Sequence, residues 1–182
     1  YSSAICYVNE LLEVNPYWKG LWSRKIELYE LQGNTVESNR LRKRLSQIYP
    51  KDSKVQEDYL YNTELQANAL RKQGKIDEAI SLTSDLLKKQ PENPSHYLTL
   101  VNDHLKTGDY YSALAFAERG LIQFPGTLSL INKKSGILAE QKRYDELIPF
   151  LQDQMKFGNR AALQQQYNYY LLEAARSAKD KD

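Results

Sequence analysis

Apolar residues recur three and four apart along nearly the whole chain, as in Leu82, Leu86 and Leu87 or Ala113, Leu114, Ala117 and Leu121. That spacing marks one face of a 3.6-residue helix, and the alternation expected of strands is absent. Prolines cut the pattern at a fixed period. Pro16 and Pro50 are 34 residues apart, Pro91 and Pro125 are another 34 apart, and Pro50 to Pro91 is longer by seven; Asn159 stands 34 beyond Pro125. Seven residues are about two helical turns, so they lengthen a helix while rotating its apolar face by only about 20°. A second marker keeps the same frame: Gly33, Gly74 and Gly108 each head a short polar motif, and Lys142 heads the fourth copy, Lys-Arg-Tyr-Asp-Glu-Leu. A glycine that ends one helix and hands over to another makes the unit a helical hairpin. The pattern predicts a helix before Pro16, hairpins at about 17–48, 53–90, 94–123 and 127–157, and a last helix over about 160–179. Ten helices and no strand are expected.

Composition narrows the chemistry. With 182 residues, 41% hydrophobic and 26% charged, the chain can bury a core and should be soluble and ordered. Its 25 basic and 23 acidic residues are interspersed, giving a formal charge of +2, unlike a nucleic-acid-binding tail. One cysteine excludes an internal disulfide and leaves cytoplasm and periplasm both open. No apolar run approaches the roughly 20 residues of a membrane span. The chain starts at Tyr1 with no charged, apolar leader, which suggests a processed product or part of something longer.

Catalytic raw material is thin, and neither a catalytic centre nor a cofactor is expected. His96 and His104 are eight residues apart on one predicted helix, about 12 Å along its axis, too far to share a metal. Cys6, beside Ile5 and Val8, reads as an inert core thiol. Arg40, Arg42, Lys43 and Arg44 form the densest basic cluster, but Glu37, Asp52, Glu57 and Asp58 interrupt any continuous positive track, so the cluster reads as outward-facing, solvated charge rather than an RNA site.

The 34-residue unit resembles the tetratricopeptide repeat family, whose units carry Trp, Leu-Gly, Tyr, Ala, Phe and Pro at set spacings. Trp22, Tyr29, Gly33 and Pro50 fall in that frame in the unit at 19–52. The unit at 94–127 follows it best, through Tyr97, Leu100, Gly108, Tyr110, Ala113, Ala117, Gly120, Leu121 and Pro125. At 60–93 Thr63 replaces the first-helix aromatic, and at 128–161 Ile131, Ser135 and Leu138 keep only size and polarity class. The resemblance implies an all-α, right-handed α-solenoid of antiparallel hairpins running through 1–182 as one array. Residues 1–16 would be the second helix of a truncated hairpin, implying an array that continues upstream, and 162–182 a capping helix ending in the charged run Lys179 to Asp182.

In that family the first helix of each hairpin lines a concave groove that takes a peptide or a partner's helix. The resemblance therefore places Ser23, Arg24, Glu27 and Glu30 there, then the candidate contacts Tyr61, Glu64, Asn68, Arg71, Leu98, Asn102, Lys106, Asn132, Tyr167 and Tyr170. Asn68 and Asn102 are equivalent, and an amide can both donate to and accept from an extended backbone. A subclass binds chaperone tails ending in Glu-Glu-Val-Asp through paired lysines; those positions read Glu64 and Leu98 here, so no such binding is expected. Function is read as a non-enzymatic protein-binding scaffold. The alternatives are a recruiting part of a larger enzyme or secretion assembly and an array that self-associates into a homo-oligomer.

Overall fold

Each proline fixes the backbone of the residue before it, because its ring clashes with an α-helical predecessor. Asn15, Tyr49, Gln90 and Phe124, the four residues before the repeat prolines, all leave the helix at φ −119 to −135° and ψ 64 to 82°. Each still donates its N–H to the carbonyl four residues back, at 2.8 to 2.9 Å. The other turn uses positive φ: Gly33, Gly74 and Gly108 stand at +72 to +77°, and Lys142 is held at +58° in the fourth copy.

The computed structural model describes residues 1–179; the end of the charged run, 180–182, lies outside them. Among the described residues there are ten α-helices and no strand. They are α1 (Ser2–Val14), α2 (Lys19–Leu31), α3 (Thr35–Ile48), α4 (Ser53–Lys72), α5 (Ile76–Lys89), α6 (Pro94–Lys106), α7 (Tyr110–Gln123), α8 (Leu128–Glu140), α9 (Tyr144–Gln154) and α10 (Arg160–Lys179). A 3-10 turn, Met155–Phe157, follows α9. The spacing insertion appears in α4, which has 20 residues against 13 in α2, α6 and α8. No described helix is long and apolar enough to cross a membrane.

The chain divides into two compact units, Tyr1–Lys72 and the part from Gln73 onward. The division falls in the turn before α5, inside the span 60–93 read as one repeat. Both units are all-α, of the solenoid class: within each unit every helix packs on its neighbours in sequence, and in the second unit α6 also meets α8, joining the first helices of successive hairpins. The first unit buries Ile5, Val8, Leu12, Trp22, Ile26, Leu28, Leu41, Leu45 and Val55 together. The indole N–H of Trp22 donates to the Pro16 carbonyl at 2.8 Å, and the Arg44 guanidinium lies 4.9 Å from its ring. The larger core of the second unit includes the fully buried Leu100, Leu130, Ile131, Leu147, Leu151 and Leu163. Gly120 lets α7 come close: a Cβ there would stand 2.7 Å from Leu130 Cδ1 and 3.1 Å from Tyr97 Cβ.

Two expectations are corrected. Cys6 is exposed, its thiol 3.7 Å from Glu10 Oε1, because Ile5, Val8 and Leu12 form the buried stripe of α1 and Cys6 points about 100° away from Ile5. Arg42 does not face solvent; its side chain is only 8% exposed.

Candidate partner-binding surfaces

The first unit builds a polar cleft around Arg42. From α3 its Nε donates to Asp58 Oδ2 on α4 at 2.9 Å, Nη2 donates to Glu30 Oε1 on α2, and Nη1 reaches Asn39 Oδ1 at 3.4 Å. The cleft, about 340 Å³, is lined by this triad together with Ser23, Glu27, Ile26 and Val55. At its margin the Lys19 ammonium lies 2.6 Å from Asp52, and this contact, followed by the Val55 N–H, holds the Asp52 carboxyl below the usual carboxylate range. Three of the expected groove positions, Ser23, Glu27 and Glu30, thus share one concavity.

Sequence reasoning missed Arg42 and Asp58 although the repeat frame contained a signal. Counting by the proline periods puts Arg42 in register with Val8, Thr83, Ala117 and Leu151, every one of them buried. Asp58 comes from the part of α4 that the seven extra residues add. The insertion supplies the second carboxylate that a charge at a core position requires.

Four candidate contacts lie on α4 in the first unit. Tyr61, Glu64 and Asn68 are exposed, Arg71 is half-buried, and their spacing continues the stripe begun by Asp58. Asn68 Oδ1 accepts from Arg71 Nη1 at 2.9 Å, so half of that amide is already engaged within its own helix.

The other six lie on α6, α8 and α10 of the second unit. Asn102 is half-buried, while Lys106 and Asn132 are exposed. Gln166 Nε2 donates to Asn132 Oδ1 at 2.6 Å, a contact between first helices across 34 residues; Gln166 Oε1 is buried without a partner. Leu98, Tyr167 and Tyr170 pack partly against the core. The Tyr167 hydroxyl accepts from Gln152 at 3.0 Å, and Tyr170 meets Tyr169 edge-on at 5.1 Å. Burial raises the Tyr170 phenol above its ordinary value. The histidines have packing roles: His96 is buried within reach of Gln90 and Asn93, and His104 stacks on Phe116 at 5.3 Å.

No family model and no curated protein matches the chain in sequence. Solved structures do match in shape. One is the crystal structure of MamA, with a TM-score of 0.51 at 12% identity, covering 87% of this chain and 88% of that one. Another is the TPR2AB domain of yeast Sti1 in its complex with pHSP90, also 0.51 at 12%, covering 96% and 79%. At that identity the likeness concerns the fold, and together with the 34-residue frame, the hairpin turns and the first-helix contacts it gives the chain an all-α fold similar to that of tetratricopeptide-repeat structures.

Proposed function

We propose that the chain is a non-catalytic interaction module that binds a partner polypeptide on its first-helix faces. The observation carrying this reading is the amide row of the second unit. Asn102, Asn132 and Gln166 occupy successive first helices, and the Gln166–Asn132 bond engages the Asn132 carbonyl while the NH₂ of this exposed residue stays available to a partner. Side-chain amides repeated along a surface suit an extended peptide backbone. Tyr167 and Tyr170 add aromatic area whose inner edge is fixed by the core, so little side-chain entropy is lost on contact. The likeness to a tetratricopeptide domain solved as a complex with pHSP90 supports a polypeptide ligand.

An acidic chaperone tail is not the ligand we propose. Glu64 is exposed on α4 and would repel it, and Leu98 is half-buried against the core, offering no cation. Fluorescence anisotropy with a Glu-Glu-Val-Asp peptide should show no binding at micromolar protein.

The reading is tested by pull-down from cells of the source organism with the wild type beside an Asn102→Ala, Asn132→Ala, Tyr170→Phe variant. Phenylalanine keeps the packed ring at 170, and circular dichroism verifies the fold. A partner that only the wild type retains supports the first-helix face. Equal retention by both removes it.

A further inference from the structure

The second helices of the second unit carry a cleft that the proposed first-helix face does not use. It measures about 510 Å³ and lies among α7, α8, α9 and the 3-10 turn, with Leu121, Ile122, Pro125, Phe150 and Phe157 as apolar walls and Gln154 lining it from α9. Gln154 is 8% exposed, and its Oε1 is shielded from water with no hydrogen-bond partner. An orphaned buried amide oxygen loses its hydration with nothing in return, so it demands an explanation.

The repeat frame shows that the cleft departs from the pattern twice. Gln154 is in register with Leu45, Leu86 and Gly120, all buried, and with Leu11, exposed in α1, so an amide stands at a position that is core in every repeat after α1. Ile122 is in register with Gln47, Lys88 and Lys156, all exposed, and is itself 80% exposed. Phe157, in register with Val14, Ile48, Lys89 and Gln123, is 52% exposed on the same rim. A polar group inside and two large apolar groups outside converge on one concavity, the inverse of what folding alone selects.

We propose that this cleft receives a tryptophan side chain from a partner protein, its indole N–H donating to Gln154 Oε1. The chemistry selects the occupant. The cleft offers an unpaired acceptor, while its cation, Lys134, is already held 2.7 Å from Glu118 and 4.6 Å over the Phe150 ring. Indole is aromatic and donor-only, so it satisfies the amide and brings no acceptor of its own that needs a partner. A phenol would bring one. The wide mouth marked by Ile122 and Phe157 suits a side chain delivered by a docking surface. The terminal torsion of Gln154 is soft and can turn the oxygen onto an entering donor.

The test uses the whole chain, labelled for NMR, titrated with N-acetyl-tryptophanamide and with its 1-methylindole analogue, which keeps the ring and loses the donor. The expected result is saturable shifts at Ile122, Phe150, Gln154 and Phe157, with the N–H compound binding about three- to tenfold more tightly, the value of one hydrogen bond. Gln154→Met keeps the side-chain length and should make the two compounds equal. Ile122→Lys, at a surface position that is lysine in register, should weaken both. Absence of shifts at the cleft, equal affinities in the wild type, or discrimination that survives in Gln154→Met would each overturn the proposal.

Discussion

At one register position the two units are built differently. The first unit puts a buried Val8 there in α1 and, in α3, Arg42 held by Glu30 and Asp58; the second puts Thr83, Ala117 and Leu151 there. Thr83 still serves the helix, its hydroxyl bonding the Ala79 carbonyl at 2.9 Å, and Leu151 is fully buried in the core. A guanidinium in the same place gives up dispersion contacts and must be compensated by carboxylates, which themselves stay partly in water at 44% and 48% exposure. The second unit therefore puts no charge at this position, and the first spends its α3 copy on a charged concavity opening beside its first-helix face. The comparison teaches that a repeat frame fixes where a side chain sits but not which forces hold it there.

The largest effect is expected from separating the charge from its partners. Glu30→Gln with Asp58→Asn leaves Arg42 buried and uncompensated, and urea unfolding should show a loss of about 3 kcal/mol in the first unit. Arg42→Met restores the apolar class found in the other repeats, and hydrophobic replacement of a buried ion pair is neutral to stabilising by about 1–4 kcal/mol. Opposite signs for the two variants would confirm that the triad is kept for something other than stability. A loss of similar size in both would show that Arg42 is ordinary packing.

Next comes the register position shared by Leu45 in the first unit and Gly120 in the second. Gly120→Ala drives a methyl against Leu130 and Tyr97, and overpacking of this kind costs about 1–3 kcal/mol. Leu45→Ala instead empties the first core and should cost about 2–4 kcal/mol less any relaxation, so the two alanines destabilise for opposite reasons. Crystal structures or methyl NMR of the variants separate displaced neighbours at 120 from a cavity at 45.

Helix capping separates the units by pH. Asn34 caps α3 by accepting the Glu37 N–H at 3.1 Å, and Asp109, in the equivalent turn, caps α7 by accepting the Ser112 N–H at 3.0 Å. The Ser112 side chain first, then its backbone N–H, pulls the Asp109 carboxyl below its ordinary value, with His104 Nδ1 3.3 Å away adding to the effect. A depressed carboxyl contributes stability that is whole above the unfolded value near pH 4 and is lost as pH falls through the lower folded value. Amide exchange should therefore show Ser112 losing protection in acid while Glu37 does not, and Asp109→Asn should abolish the difference.

Most of the architecture was legible because proline and glycine act through the backbone. Pro16, Pro50, Pro91 and Pro125 end helices wherever they stand, so all ten helices fall where the sequence placed them. The surfaces were less legible because residue type and residue position can disagree. Arg42 reads as solvated charge by type and as core by register, and register won because α4 supplies Asp58. Asn132 could be named from the sequence, yet its bond to Gln166 depends on how α8 and α10 pack. Leu98, Tyr167 and Tyr170 turned out to divide themselves between core and surface, a division that spacing alone does not determine.

The smallest effect concerns the one turn where backbone logic and residue identity part. Gly33 at φ +72° and Lys142 at φ +58° make the same hydrogen bonds: the residue itself donates to the carbonyl three back, at 2.8 and 2.9 Å, and the next residue donates five back, at 2.8 and 2.9 Å. The left-handed region costs a residue with a Cβ roughly 1–2 kcal/mol, and glycine returns about 0.5–1 kcal/mol of that through its freer unfolded chain. Lys142→Gly should therefore stabilise the second unit by up to about 1 kcal/mol. Nothing lies within 4 Å of a Cβ built on Gly33, so Gly33→Lys meets no clash and should destabilise the first unit by the same small amount. Equal and opposite shifts in the urea midpoint would show that the turn is governed by its backbone in both units. A larger penalty at 33 would mean that the Lys142 side chain earns its place by contacts that a lysine at 33 cannot make.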